Sequence, residues 1–75
     1  MNTKRCTLRQ IVDELIDKTD YVNRDEVQIT FNYSGDTETV TIDELDNISS
    51  EYGLDDEEVI VVWFNKKDVR ISTID

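Results

Sequence analysis

The sequence predicts an α+β fold, a two-layer sandwich in which two helices cover one face of a four-stranded antiparallel sheet. Two observations support this prediction. Two segments have apolar residues at helical spacing, and each is followed by a pair of segments with the composition and alternation of strands. Because the order helix, strand, strand occurs twice, we expect one domain over residues 1–75, built from tandem α-β-β units.

The first helix is predicted to begin after Thr7. Residues 7–10, Thr-Leu-Arg-Gln, fit a capping box, in which the side chains of Thr7 and Gln10 each bind the other residue's backbone N–H. An apolar stripe follows at helical spacing, formed by Leu8, Ile11, Val12, Leu15 and Ile16. This stripe is predicted to face a core, and residues 21–24 are predicted to lead out of the helix.

Residues 26–33 alternate between apolar and polar side chains, which is typical of a half-buried strand. Gly35 then stands at the first central position of a two-residue loop, as a type II′ hairpin turn requires. The resulting register is predicted to pair Phe31 with Val40. It leaves a polar outer face that is rich in threonine.

A second helix is predicted to begin at once, with either Thr41 in a capping box or Asp43 as the cap. A thinner apolar stripe follows, formed by Leu45, Ile48 and Tyr52. Gly53 is then a natural residue to end the helix.

Residues 58–64, Glu-Val-Ile-Val-Val-Trp-Phe, contain the one long run of consecutive apolar side chains, which predicts a central strand. A turn at 65–68 leads to a last strand at 69–74, with Phe64 paired with Val69 on the face toward the helices. The opposite face of this hairpin then carries an apolar patch, formed by Val59, Val61, Trp63, Arg70 and Ile74.

Two interpretations of this apolar patch are open. In one, the strand order or a terminal segment covers it, or Arg70 lies across the ring of Trp63 as a cation–π pair. In the other, the patch is a contact surface, which either pairs with itself in a symmetric homodimer or docks another protein.

The chain is strongly acidic, with a formal net charge of −10, and the charge is uneven. Residues 25–65 contain twelve carboxylates and no Lys or Arg. Ten of them form the predicted partner-binding acidic belt: Asp36, Glu38, Asp43, Glu44, Asp46, Glu51, Asp55, Asp56, Glu57 and Glu58. Such a surface repels nucleic acid and attracts cations, so we expect a basic protein as partner and no direct nucleic-acid binding.

The residue types exclude most reaction chemistry. Without His, the chain has neither the usual His/Cys zinc ligands nor a Ser/Cys–His–acid triad. The acids at 55–58 lack the spacing of an EF-hand loop, and the isolated Gly35 does not make a phosphate loop. Cys6, the only cysteine, is predicted to be an incidental thiol near a frayed end. We therefore predict a non-enzymatic domain without a cofactor or a metal.

Two functions are compatible with these features. One is an acidic inhibitor whose carboxylates stand in for nucleic-acid phosphates in the groove of a basic protein. The other is a small adaptor that acts through the apolar patch, and ordinary acidic solubility is a third account of the charge. No motif identifies a family, although in size and charge the chain is similar to small acidic phage-encoded inhibitors of host defence nucleases. Neither a signal peptide nor a run of transmembrane length is recognised, so a cytoplasmic location without membrane contact is expected.

Overall fold

The fold is a mixed five-stranded sheet with two helices packed on one face, as a computed structural model shows for residues 2–18, 26–65 and 67–74. The elements are β1 (Asn2–Thr7), α1 (Leu8–Lys18), β2 (Gln28–Tyr33), β3 (Asp36–Val40), α2 (Ile42–Glu51), β4 (Glu58–Trp63) and β5 (Asp68–Thr73). The strands lie in the order β1-β4-β5-β2-β3, with β2 and β5 parallel and the other neighbours antiparallel.

The predicted α+β class and the two successive helix-strand-strand units are confirmed. The predicted four-stranded antiparallel sheet is wrong, because β1 adds a fifth strand and the two hairpins join through a parallel pair. The predicted exit from the first helix at 21–24 lies outside the described residues.

Both predicted helix caps are present. At α1, the backbone N–H of Gln10 donates to Thr7 Oγ1 at 3.2 Å, and the N–H of Thr7 donates to Gln10 Oε1 at 2.9 Å. At α2, the N–H of Glu44 donates to Thr41 Oγ1 at 3.2 Å, so Thr41 and not Asp43 is the cap. These contacts satisfy donors that have no partner inside the helix.

Four residues of the apolar stripe of α1 are buried as predicted and Ile16 is half-buried, but the stripe of α2 differs. The buried residues of α2 are Ile42, Leu45 and Ser49. Ser49 turns inward because its hydroxyl donates to Asp55 Oδ1 at 2.5 Å and its carbonyl accepts the N–H of Leu54 at 2.9 Å. Leu54 therefore completes this part of the core, and Tyr52 is left 69% exposed. Gly53, with φ of +65°, ends the helix as predicted.

The first hairpin is shifted by two residues from the predicted register. Phe31 lies opposite Glu38. The loop consists of Ser34 and Gly35, whose φ values of 51° and 87° are those of a type I′ turn and not of type II′. A shift of two residues keeps every side chain on its face, so Phe31 is buried as predicted. It also places Asp36 and Glu38 at the sheet edge on the helix side.

The second hairpin differs by one residue from the predicted register, and this reverses the faces of β4, whereas Val69 and Ile71 of β5 face the core as predicted. Trp63 lies opposite Val69, and Val61 lies opposite Ile71. Val59 and Val61 are consequently in the core, each at 0% exposure. The prediction of an outward-facing apolar patch on Val59, Val61 and Trp63 is therefore wrong, because a slip of one residue moves every side chain to the other side of a sheet.

The loop after β4 sets this register. Asn65 Oδ1 accepts the backbone N–H of Lys67 at 2.8 Å and of Asp68 at 3.0 Å. The N–H of Phe64 donates to the carbonyl of Asp68 at 3.0 Å. An Asn side chain replaces a backbone turn in this way, and the loop is one residue longer than predicted.

Strand β1 was not predicted, because its residues are mostly polar. It pairs antiparallel with β4 at the edge of the sheet. On its helix side, Lys4 Nζ lies 2.6 Å from Glu14 Oε2, and Cys6 packs against the core. Cys6 is therefore inside a paired strand and not near a frayed end, and burial raises the pKa of its thiol.

We expect Ile71→Ala to lower the free energy of unfolding by about 2–5 kcal/mol, because it removes a fully buried side chain and leaves a cavity. The matched variant Ile60→Ala changes a residue on the opposite face, 38% exposed, and should cost less than about 1 kcal/mol. Chemical denaturation measures both. Equal losses, or a larger loss at Ile60, would contradict the faces assigned here.

Candidate functional site

The cationic side chains of β1 and α1 form ion pairs within the domain. Lys4 Nζ and Lys18 Nζ lie 2.6 Å and 3.0 Å from the two carboxylate oxygens of Glu14. Arg5 Nη2 lies 2.8 Å from Glu58 Oε2. The hydrogen bond from Lys4 is the main cause of the lowered pKa of Glu14. The charge of these two elements is nearly balanced, with four cations and three carboxylates in β1 and α1.

Arg9 connects α1 to α2 and to the loop that follows α2. Its guanidinium lies 2.9 Å from Asp46 Oδ1, 3.2 Å from Asp13 Oδ1 and 3.6 Å from Asp55 Oδ1. The hydrogen bond to Asp46 is the main cause of the raised pKa of Arg9. Asp46 and Asp55, like Glu58, are thus members of the acidic belt that contact a cation, and Arg9 shares its single positive charge among three carboxylates.

The rest of the acidic belt lies on β3, on α2 and in the loop from α2 to β4. Asp43 and Glu44 are exposed in the first turn of α2, where the helix dipole favours carboxylates. Five further members make no ion pair with another described residue, namely Asp36, Glu38, Glu51, Asp56 and Glu57. We call these five the open carboxylates. Residues 26–65 contain no Lys or Arg, so the ionised side chains of these segments are all negative.

An open groove of about 500 Å³ lies between the β2–β3 hairpin and the end of α2. Apolar and aromatic side chains line it together with two open carboxylates: Phe31, Tyr33, Ile48, Tyr52, Asp36 and Glu38. The rings of Phe31 and Tyr33 stack with centroids 6.2 Å apart. Tyr33 is 39% and Tyr52 69% exposed, so two aromatic rings are accessible beside the carboxylates.

The sequence did not predict this groove. The predicted register separated Glu38 from Phe31, and the predicted stripe of α2 buried Tyr52. The usable signal was Gly35 as the second residue of the loop, since a type I′ turn needs positive φ at both central residues and Gly adopts it without steric cost.

The sheet face opposite the helices has no covering element among the described residues. Its β2–β3 part is polar, as predicted, and Thr30, Asn32 and Thr37 lie there beside Arg70 and Ser72 of β5. Its β4 part is apolar and carries Ile60, Val62 and Phe64. Ile60 is 38% and Phe64 50% exposed, so this face, and not the predicted apolar patch, presents apolar surface to water.

The predicted contact between Arg70 and Trp63 is also wrong. Arg70 lies over the ring of Phe64, 5.5 Å from its centroid, while Lys18 Nζ lies 5.2 Å from the centroid of Trp63. The two rings are on opposite faces because they are neighbours in sequence. Ile74 is half-buried, and its N–H donates to the carbonyl of Glu58 at 3.3 Å.

Two further findings concern ligands and membranes. In the ranges 2–18, 26–65 and 67–74, no group of three or more His, Cys, Asp or Glu side chains is placed to hold a metal ion. Neither helix in this part of the chain has the length and apolar character needed to cross a bilayer.

We expect Glu14→Gln to remove part of the acid sensitivity of the fold. The pKa of Glu14 is lowered below its ordinary value of 4.5, so its stabilising effect is present above that pH and is lost as the pH falls through the folded-state pKa. The difference in unfolding free energy between wild type and Glu14→Gln should therefore shrink between about pH 5.5 and about pH 3. Asp17→Asn, with the same change in charge at an exposed site, is the control. A difference in unfolding free energy that does not change with pH would contradict the pairing of Glu14 with Lys4 and Lys18.

Comparisons of the chain with known proteins do not assign it to a family. No protein-family model matches it, and neither a curated protein nor a solved structure is significantly similar to it. A function has to be inferred from the charges, grooves and faces of the chain itself.

Proposed function

We propose that this domain is a non-enzymatic binding module for a basic protein, and that its negative side is the contact surface. We define this acidic side as β3, α2 and the loop from α2 to β4. The observation that carries the proposal is a difference in ion pairing between the cations and the carboxylates. The cations of β1 and α1 form ion pairs within the domain, whereas the open carboxylates have no such partners among the described residues.

The open carboxylates favour encounter with a cationic surface. In the free domain these carboxylates are in water and incur no desolvation cost, and each adds to a negative potential around β3, α2 and the loop that follows α2. Exposed charges are screened beyond a Debye length of about 8 Å at physiological ionic strength. The attraction should therefore be strong at low salt and should weaken as salt is added.

Proteins that bind nucleic acids are the favoured class of partner, because their grooves carry the complementary charge. The longest dimension of the domain is 32 Å. One strand of a duplex places about nine phosphates along that length, and both strands place about nineteen. A net charge of −10 is comparable to a single row of phosphates, so we propose that the domain occupies a groove that contacts one phosphate strand.

The proposal is tested with matched charge variants. Glu51→Gln/Asp56→Asn removes two open carboxylates, and Asp13→Asn/Asp17→Asn removes the same charge from α1. Proteins captured by the wild-type domain from an extract of its source organism at 50 mM salt are identified and purified, and their affinities are measured. We expect basic partners with pI above about 9, a Kd about tenfold weaker for the first variant and a change below about twofold for the second.

Two results would contradict this function. One is a set of captured partners without basic character. The other is an equal loss of affinity in both double variants, since a nonspecific attraction depends on net charge and not on the acidic side.

A second candidate function is a homodimeric adaptor, and the uncovered sheet face favours it. This face carries Ile60, Val62 and Phe64, and its charged side chains are of both signs. Electrostatic repulsion between two copies is therefore smallest when these faces meet. Five strands of about six residues give roughly 500 Å² of flat surface. Stable interfaces bury about 800 Å² per partner, so a dimer formed by this face alone should be weak.

Sedimentation velocity over a range of concentrations tests the homodimer. If the sheet face associates, Phe64→Ser should shift the monomer–dimer equilibrium toward monomer, because it removes the most exposed apolar side chain of that face. Tyr52→Ser, which changes an exposed ring on the helix side, should leave the equilibrium unchanged. A wild-type domain that stays monomeric at millimolar concentration would rule out this candidate.

A further inference from the structure

The edge strand β3 offers unpaired backbone groups next to the groove. Within the described sheet, β3 is bonded to β2 alone. Residues that close a two-residue hairpin loop exchange both backbone hydrogen bonds, so Asp36 and Glu38 bond toward β2. The alternate residues Thr37 and Thr39 therefore direct their N–H and C=O groups away from the sheet. An edge of this kind is a template for another strand.

Of the usual protections of an edge strand, β3 has charged side chains but neither Pro nor a bulge. Its sequence, Asp-Thr-Glu-Thr-Val, has no Pro and no Lys, and its register with β2 runs without a bulge. It does carry two carboxylates on the helix side, Asp36 and Glu38. A second copy of β3 would place these carboxylates opposite like charges, which is unfavourable. Pairing between two copies of β3 is thus disfavoured, whereas pairing with a cationic strand is favoured by charge.

The groove lies where the side chains of an added strand would project. Residues opposite Asp36 and Glu38 would lie on the helix side, with Cβ atoms about 5 Å from theirs. A Lys or Arg at such a position can pair with the carboxylate while its stem and cation lie along the accessible rings of Tyr33 and Tyr52.

We propose that β3 and the groove together bind an extended segment of the partner protein that carries Lys or Arg at alternate positions and pairs antiparallel with β3. This inference rests on the proposed function and specifies its recognition mode. The residues between the cations face the threonine side of the sheet, where β-branched residues fit best. Antiparallel pairing is assigned because it is slightly more stable per residue than parallel pairing.

The test uses a capped synthetic peptide, Thr-Lys-Val-Arg-Val-Lys-Thr, and a peptide of the same composition with its three cations consecutive. Fluorescence anisotropy or calorimetry at 150 mM salt measures both affinities. We expect the alternating peptide to bind the wild-type domain at least about tenfold more tightly than the block peptide. Equal affinities would overturn the inference, because net charge alone would then explain the binding.

Two variants at one position separate backbone pairing from side-chain contact. Thr39→Pro removes an N–H that points away from β2, and edge strands tolerate Pro at such positions. Thr39→Val keeps the N–H. Thr39→Pro should weaken binding of the alternating peptide about tenfold relative to Thr39→Val. Glu38→Gln should weaken it severalfold, while Asp17→Asn on α1 should change it less than twofold. No difference between the two Thr39 variants would count against strand addition.

Modified peptides provide a test that does not depend on folding of a variant. In antiparallel pairing the two valines of the peptide direct their N–H groups toward β3, and the cationic residues direct theirs outward. N-methylation of the valines should therefore abolish binding to the wild-type domain, and N-methylation of the lysines should have a much smaller effect. Equal effects would contradict the proposed pairing.

Failure of this inference can be told apart from failure of the proposed function. If both peptides bind equally and Glu51→Gln/Asp56→Asn weakens both, a cationic partner is supported and strand addition is rejected. If neither peptide binds and the captured partners are not basic, both proposals are rejected.

Discussion

The register of β4 against β5 decides which side chains form the core, and the turn at Asn65 holds that register. The side chain of Asn65 accepts two backbone N–H groups and so fixes the length of the loop. With this loop, Val59 and Val61 meet the helices, and Ile60 and Val62 face outward. Because β4 is apolar on both faces, its own pattern cannot choose between them. The choice lies in a hydrogen-bonded loop outside the strand.

Local features of the fold were predictable from the sequence. The caps at Thr7 and Thr41 connect residues three positions apart, so the residues themselves specify the contacts. The stripe of α1 is likewise read from one segment. Ser49 behaves differently: it is buried because Asp55, in the following loop, accepts its hydroxyl. A propensity argument counts serine as a weak helix residue and cannot include a partner that only the tertiary fold supplies.

Strand β1 also could not be predicted from its own residues. It has no apolar alternation, and its pairing with β4 supplies the backbone hydrogen bonds that hold it. Its long cationic side chains are held by Glu14 and Glu58, which are distant in sequence. The acidic belt was consequently overcounted at the sequence level, because Asp46 and Glu58 are compensated by basic residues of elements brought near them by folding.

The amount of negative charge was predictable, whereas its division into compensated and open carboxylates was not. Composition gives the net charge directly, but whether a carboxylate is available to a partner depends on the cations around it. Four of the six cations among the described residues lie on β1 and α1, and Arg9 of α1 pairs with Asp46 of α2.

Two small features that differ from the predicted structure form the groove. The loop at Ser34 and Gly35 places Glu38, and not an apolar residue, beside Phe31. The inward turn of Ser49 leaves Tyr52 in water. An apolar residue at the position of Glu38 would make the edge of β3 a site for indiscriminate strand pairing. With a carboxylate there, self-pairing is disfavoured by like charge, and the backbone groups of the edge stay accessible to a strand of opposite charge. In the proposed strand addition, protection against self-association and selection of a cationic partner would both follow from one register.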